Sequence, residues 1–194
     1  MRRKEKEIKD KTVIVDVLNT CYIGRLGTIG KDGYPMVKPL NFAYNPPIPP
    51  LVKGGEGGFG KIYFHTAKEG EKIEDIKRDN RVCFEVDLPI AYIKAKNNPC
   101  QADYLYRSVI IKGRAKIVED REEKLLALNC LMEKHQPGGG YGDYTEDKLT
   151  KVGIVRIDIE EMRGKEDLRD GSIKEVVLKA LKEKVPLPTT IERR

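Results

Sequence analysis

Alternating apolar and polar positions dominate the middle of the chain. Within residues 105–118, Val109, Ile111, Gly113, Ala115 and Ile117 fall on one face, while Ser108, Lys112 and Arg114 fall on the other, with Ile110 the exception. A period of two belongs to a strand with one buried face. Shorter stretches of extended character predict strands over residues 22–29, 35–44, 61–65, 81–86 and 152–159. Gly30-Lys31-Asp32-Gly33 carries an Asp-Gly turn signal, so the first two stretches should form a hairpin. Pro35 and Pro39 cannot donate to a ladder, which places the second of them at an edge or a bulge.

Helical spacing replaces alternation at four places. Residues 5–19 carry an apolar stripe of Ile8, Ile14, Val17 and Leu18, and residues 69–79 turn Ile73 and Ile76 inward. Asp120 and Glu123, at capping-box spacing, open a helix carrying Leu125, Leu128 and Met132. Ser172 and Glu175 open the last, in which Ile173, Val176, Val177, Ala180 and Leu181 fit one face before Pro186 and Pro188 stop it. Residues 45–60, 88–103 and 136–144 read as irregular connections. Six strands with few crossover helices predict a mainly β fold, an antiparallel sheet closed or nearly closed with helices at its periphery. The expected organisation is one domain over residues 1–160, N-terminal helix included, and a C-terminal helical extension over 161–194 packed on the same domain.

Composition narrows the function classes. No run approaches the roughly 18 apolar residues of a membrane span. Arg2-Arg3 is followed by Lys4-Glu5-Lys6-Glu7 rather than an apolar segment, so no export signal is read and a cytoplasmic protein without membrane attachment is expected. Cys21, Cys83, Cys100 and Cys130 are scattered with no C-x-x-C pair, which predicts reduced, mostly buried thiols. His65 and His135 stand at no ligand spacing to a cysteine or to each other, so no metal site is expected. The net charge of +6 is spread over locally alternating signs, unlike the clustered basic residues that nucleic acid demands.

Residues 55–60 satisfy G-x-G-x-x-G, and residues 55–61 nearly satisfy a P-loop. Both motifs work by placing a phosphate at the N-terminus of the helix that follows. Here a strand follows, and Ile62 stands where a P-loop needs Ser or Thr, so the stretch reads as a connection. More informative is the passage from Ile62 to Lys72, where a strand ends in polar residues and a helix begins within a few positions. Thr66 and Lys72 could both reach a phosphate at that helix start. The same residues also suit a capping box and an ordinary surface lysine.

Gly24-Arg25-Leu26-Gly27-Thr28, Asp32-Gly33-Tyr34-Pro35, Pro39-Leu40-Asn41-Phe42, the passage just described, Asn80-Arg81-Val82-Cys83-Phe84, and Tyr106-Arg107-Ser108-Val109 leading to Gly113-Arg114-Ala115 occur in a telling order. Together, over roughly residues 5–160, they resemble the pyridoxamine 5′-phosphate oxidase-related split-barrel flavoproteins, most nearly the nitroimidazole-resistance branch. The resemblance implies a six-stranded antiparallel split barrel that forms a homodimer and holds FMN in a groove at the subunit boundary. It would place Lys38, Pro39, Leu40 and Asn41 along the flavin ring and ribityl chain, and His65, Thr66 and Ala67 at the strand end beside the cofactor. Lys72 would bind the phosphate, and Ser108 would contribute from the long strand. Three departures stand out: Glu71-Lys72 replaces an Arg-Lys pair, Arg107-Ser108-Val109 replaces an Arg-Gln-Val run, and the family's C-terminal substrate-binding arginine and histidine have no counterpart. They argue against vitamin B6 oxidation.

The expected function is therefore that of an FMN-binding oxidoreductase acting on a small molecule, with His65 as proton donor or, alternatively, a hydrogen-bonded structural histidine. Competing readings are a flavin carrier or sensor without turnover, and a deazaflavin-dependent reductase on the same fold.

Overall fold

The computed structural model describes residues 3–47 and 58–191. Nine strands and five α-helices occur among them. In chain order they are β1 (Glu7–Ile8), α1 (Lys11–Thr20), β2 (Ile23–Ile29), β3 (Pro35–Asn41), β4 (Ala43–Asn45), β5 (Lys61–Thr66) and α2 (Glu71–Arg78). There follow β6 (Arg81–Ile93), β7 (Asp103–Val118), α3 (Arg121–His135), α4 (Glu146–Lys151), β8 (Gly153–Asp167), α5 (Ser172–Glu183) and β9 (Thr190–Ile191). The sheet order is β3-β2-β6-β7-β8-β5-β4, with β1 joining β8 and β9 joining β6. The pairs β2/β3, β2/β6, β4/β5, β5/β8 and β1/β8 are antiparallel, and β6/β9 is parallel. The path is open among the described residues, as a split barrel allows, and the proline-bearing β3 lies at one end of it.

The predicted hairpin is present in the register Ile29↔Pro35 to Ile23↔Asn41. Its turn closes through Gly33 N–H to the Gly30 carbonyl at 2.9 Å and Gly30 N–H to the Tyr34 carbonyl at 2.7 Å, with Gly33 at φ 86°. That backbone conformation is free of steric cost only for glycine.

Several expectations are corrected. Nine strands replace six. The N-terminal helix starts at Lys11, because Glu7–Ile8 pairs instead with Lys165 and Gly164, and Asp10 accepts from the Thr12 amide and hydroxyl at 2.8 Å each. Strand β6 runs on through residues read as loop. Its buried positions shift from Val82, Phe84 and Val86 to Ala91 and Ile93, a change of phase that hides the continuation. Strand β8 likewise outruns its apolar part, and α4 and β9 went unread. In α3 the fully buried residues are Lys124, Ala127 and Leu131, with Leu125, Leu128 and Met132 half-buried, and in α5 Val176 is exposed. Asp120 caps α3 by accepting from the Glu123 amide at 2.8 Å, but the Glu123 carboxylate turns to Tyr63 and Arg156. Only Cys21 is buried among the cysteines; Cys83 sits on the exposed face of β6 opposite Gly27, and Cys100 lies in an exposed turn. Residues 55–57 of the glycine-rich stretch lie outside the described residues, and the segment after it is β5, a strand.

The chain divides into two compact units. One comprises Met1–Val17, Asp87–Val109 and Arg163–Arg194; the other comprises Leu18–Val86 and Ile110–Met162. In the first, α5 lays Val177, Ile173 and Leu181 against Ala91, Ile93, Leu105 and Leu168. In the second, α3 covers Tyr63, Val118 and Ile154 with Ala127 and Leu128, and α2 buries Ile73 and Ile76.

Candidate functional site

The larger unit carries all but one of the predicted site residues. Directly opposed residues of an antiparallel pair share a face, and the hairpin register therefore sorts them. Lys38 and Leu40 lie opposite the buried Leu26 and Gly24, while Pro39 and Asn41 lie opposite the exposed Arg25 and Ile23. The side chains of residues 38–41 thus divide between two faces of the sheet. Only Lys38 and Leu40 look toward the buried side.

On that side, Lys38 meets α2. Its Nζ is buried, 2.7 Å from Glu71 Oε2 and 3.9 Å from Asp75 Oδ2, yet neither contact has hydrogen-bond geometry, so the ammonium is an ion-paired donor without a proper acceptor. Asp75 is 1% exposed and each of its carboxylate oxygens accepts from another donor: Thr28 Oγ1 at 2.9 Å and Arg78 Nη2 at 2.8 Å. Burial alone would raise its pKa. The hydrogen bonds from Arg78 and Thr28, with the charges of Arg78 and Lys38, outweigh that and hold it below the usual carboxylate range.

Lys72 is the second residue of α2, with its Nζ 5.2 Å from the centroid of the buried Phe64 ring. Burial, and secondarily the positive charge of Lys38, press its pKa below that of a free lysine. Two cations thus influence each other at the start of α2. Gly70 is the cap of that helix, with no side-chain hydrogen bond, and nothing lies within 4 Å of where its Cβ would be. The first turn therefore presents N–H groups that no capping side chain satisfies.

Strand alternation also sorts β5. Thr66 shares the face of Phe64, over which Lys72 lies, whereas His65 turns the other way and is exposed. His65 makes no hydrogen bond among the described residues, so the structural-histidine reading finds no partner; His135 fits that description instead, with Nε2 3.1 Å from the Phe42 carbonyl and its ring tilted against Tyr22. Thr66 lies opposite Gly153, where a Cβ would sit 2.9 Å from the carbonyl oxygens of Thr66 and Ala67, so the backbone passes tightly past the exposed Ala67. Ser108 is half-buried on β7 and belongs to the smaller unit. Among the described residues no group of three His, Cys, Asp or Glu is placed to hold a metal, and no helix is long and apolar enough to cross a membrane.

The sequence does not single out Asp75 or Arg78, and Thr28 and Glu71 stand in it only within the resemblance. One signal was available: Lys72, Asp75 and Ile76 fall at i, i+3 and i+4, which sets a carboxylate beside the buried stripe.

An antiparallel, mainly β architecture with a lysine pair at a strand-to-helix junction defines the class. A family model described as pyridoxamine 5′-phosphate oxidase matches residues 10–166, and the chain belongs to this family. No curated relative matches the sequence. Among solved structures, the chain is similar to a protein of Bacteroides thetaiotaomicron described as a candidate 5-nitroimidazole antibiotic resistance protein, with 26% identity and a TM-score of 0.66 over 82% of this chain and 85% of that one. The fold is shared with the flavocytochrome Anf3 of Azotobacter vinelandii (18% identity, TM-score 0.69, 91% and 77% covered). It is shared too with an FAD- and heme-binding protein of Mycobacterium smegmatis (16% identity, TM-score 0.69, 90% and 80% covered).

Proposed function

We propose that this chain binds a flavin, FMN, with its phosphate at Lys38, Lys72 and the first turn of α2, and acts as an oxidoreductase on a small molecule. The observation that carries the reading is the buried Lys38 Nζ, which lacks an acceptor of good geometry at the start of α2, where Lys72 lies over Phe64 without an ion pair among the described residues. Two cations held together beside an open helix N-terminus suit a phosphate monoester, which brings negative charge and several acceptor oxygens. Thr66, on the Phe64 face, is the hydroxyl that would join them. A bound flavin would supply the redox chemistry. The contribution of the chain is to hold the phosphate, and to offer at His65 an accessible imidazole able to give or take a proton. The protein would work in the cytoplasm as a homodimer.

The test is a titration followed by flavin fluorescence, with FMN and riboflavin compared on the native protein and on Lys72→Ala. The native protein should bind near one FMN per chain. The variant should weaken FMN about tenfold or more and riboflavin little, since a charge-assisted hydrogen bond is worth roughly 1.5–3 kcal/mol and only FMN carries the phosphate. Equal losses for both ligands would reduce Lys72 to a stabiliser of α2.

A further inference from the structure

We infer that Glu71 is a specificity-determining residue: its carboxylate competes with the ligand's phosphate for Lys38, and so tempers the affinity gained from that phosphate's charge. This deepens the flavin reading and rests on it. Glu71 opens α2, and its side chain is 59% exposed; nevertheless Oε2 reaches 2.7 Å from Lys38 Nζ. Asp75, the other acid near that ammonium, is 3.9 Å away and already receives Thr28 and Arg78. Glu71 is consequently the close and displaceable acid at Lys38, while Asp75 is the fixed one. Lys72 is paired to neither acid among the described residues and lies over Phe64.

An anion arriving at Lys38 must therefore displace Glu71 or share the ammonium with it, and like charges this near repel. The repulsion grows with the charge on the incoming group. A phosphate monoester, with its second pKa near about 6, carries almost two charges above neutral pH. The two phosphates of FAD's internal diphosphate carry one charge each. Riboflavin carries none. Glu71 thus ranks the three ligands by the charge on the one phosphate that reaches Lys38, and its neutral isostere should remove the ranking.

The experiment measures FMN, FAD and riboflavin affinity at pH 8 and low salt for the native protein and Glu71→Gln, with inorganic phosphate titrated by 31P NMR on both. Glu71→Gln should tighten FMN about tenfold, FAD by less, and riboflavin not at all, because an exposed charge acts through a partly screened field. The FMN gain should shrink in roughly 0.5 M salt. Inorganic phosphate should tighten alongside FMN. If flavins bind both proteins equally, the role of Glu71 is overturned and the flavin reading stands. If neither protein binds flavin but phosphate tightens in the variant, the flavin reading falls and the competition stands. A matching rise for riboflavin, or unchanged phosphate binding, refutes it. Glu71→Ala, lacking the amide, should reproduce the order.

Discussion

At the scale of single residues, Lys134 of the larger unit has a strongly displaced titration. Its Nζ donates to the Leu18 carbonyl at 2.8 Å and sits 3.4 Å from the centroid of the buried Phe42 ring. Burial pushes its pKa down from 10.5 to about 8, against a small opposing influence from Cys21. Since the folded value is the lower one, the unfolded chain binds more protons between those two pH values. Stability must then rise with pH across that window. Replacing the charge through Lys134→Met should abolish this slope, so that native minus variant stability climbs by on the order of 2–3 kcal/mol from pH 7 to pH 10. Urea melts at several pH values measure it, and a flat difference would mean the ammonium is better solvated than its surroundings imply. A steric case sits nearby. A Cβ on Gly24 would lie 2.1 Å from Phe84 Cζ, in a fully buried ring that meets Phe42 edge-on at 5.0 Å. Gly24→Ala should cost about 1–3 kcal/mol through overpacking. In the Phe84→Leu background the added cost should shrink, and strictly additive losses would place the strain elsewhere.

At the scale of elements, α2 is held to the hairpin by charge as well as by Ile73 and Ile76. Asp75 joins Thr28 on β2 and, through its ion pair, Lys38 on β3, while Arg78 donates both to Asp75 and to the Ile29 carbonyl. Asp75→Asn keeps the shape but removes the charge that Arg78 and Lys38 require, and should destabilise by about 2–3 kcal/mol at pH 7. The pKa of Asp75 is lowered by folding, so its contribution is full above the ordinary carboxylate range and fades as pH falls through the depressed value. The deficit of the variant should therefore narrow in acid, and a deficit constant down to pH 2 would assign the effect to packing. This anchor also marks where sequence reading ends. Alternation exposed β7 because one of its faces is consistently buried, and the Asp-Gly turn signal exposed the hairpin. It lost the second half of β6, where the buried phase changes around Pro89, and the end of β8, where Glu160, Glu161, Arg163 and Lys165 crowd both faces. Lys38 and Lys72 could be singled out from the strand-to-helix junction and the resemblance. Asp75, the buried acid beside Lys38, could not, since an Asp inside a charged helix looks solvated until the fold sets Thr28 and Arg78 against it.

At the scale of the whole molecule, the proposed homodimer makes a demand on a surface of the larger unit. The hairpin register that turns Lys38 inward turns Ile23, Ile29 and Val37 outward, and they are 51%, 37% and 62% exposed. Pro35 and Pro39 share that face, and the Arg25–Glu85 ion pair at 3.0 Å crosses it between β2 and β6. A β-sheet face with branched apolar side chains in water and few charges is a typical site of association. In a two-fold dimer the same patch meets itself, so one substitution acts twice. Val37→Lys brings two ammonium groups into one apolar contact, and should leave a monomer by light scattering at micromolar protein while changing monomer stability by no more than about 0.5 kcal/mol. Flavin titration of that monomer then addresses the cofactor groove. Weakened FMN binding would mean that the site draws on both chains, as the resemblance implies. Undiminished affinity in a proven monomer would confine the site to Lys38, Lys72 and α2 of one chain. A dimer that survives Val37→Lys would move the interface away from the hairpin altogether.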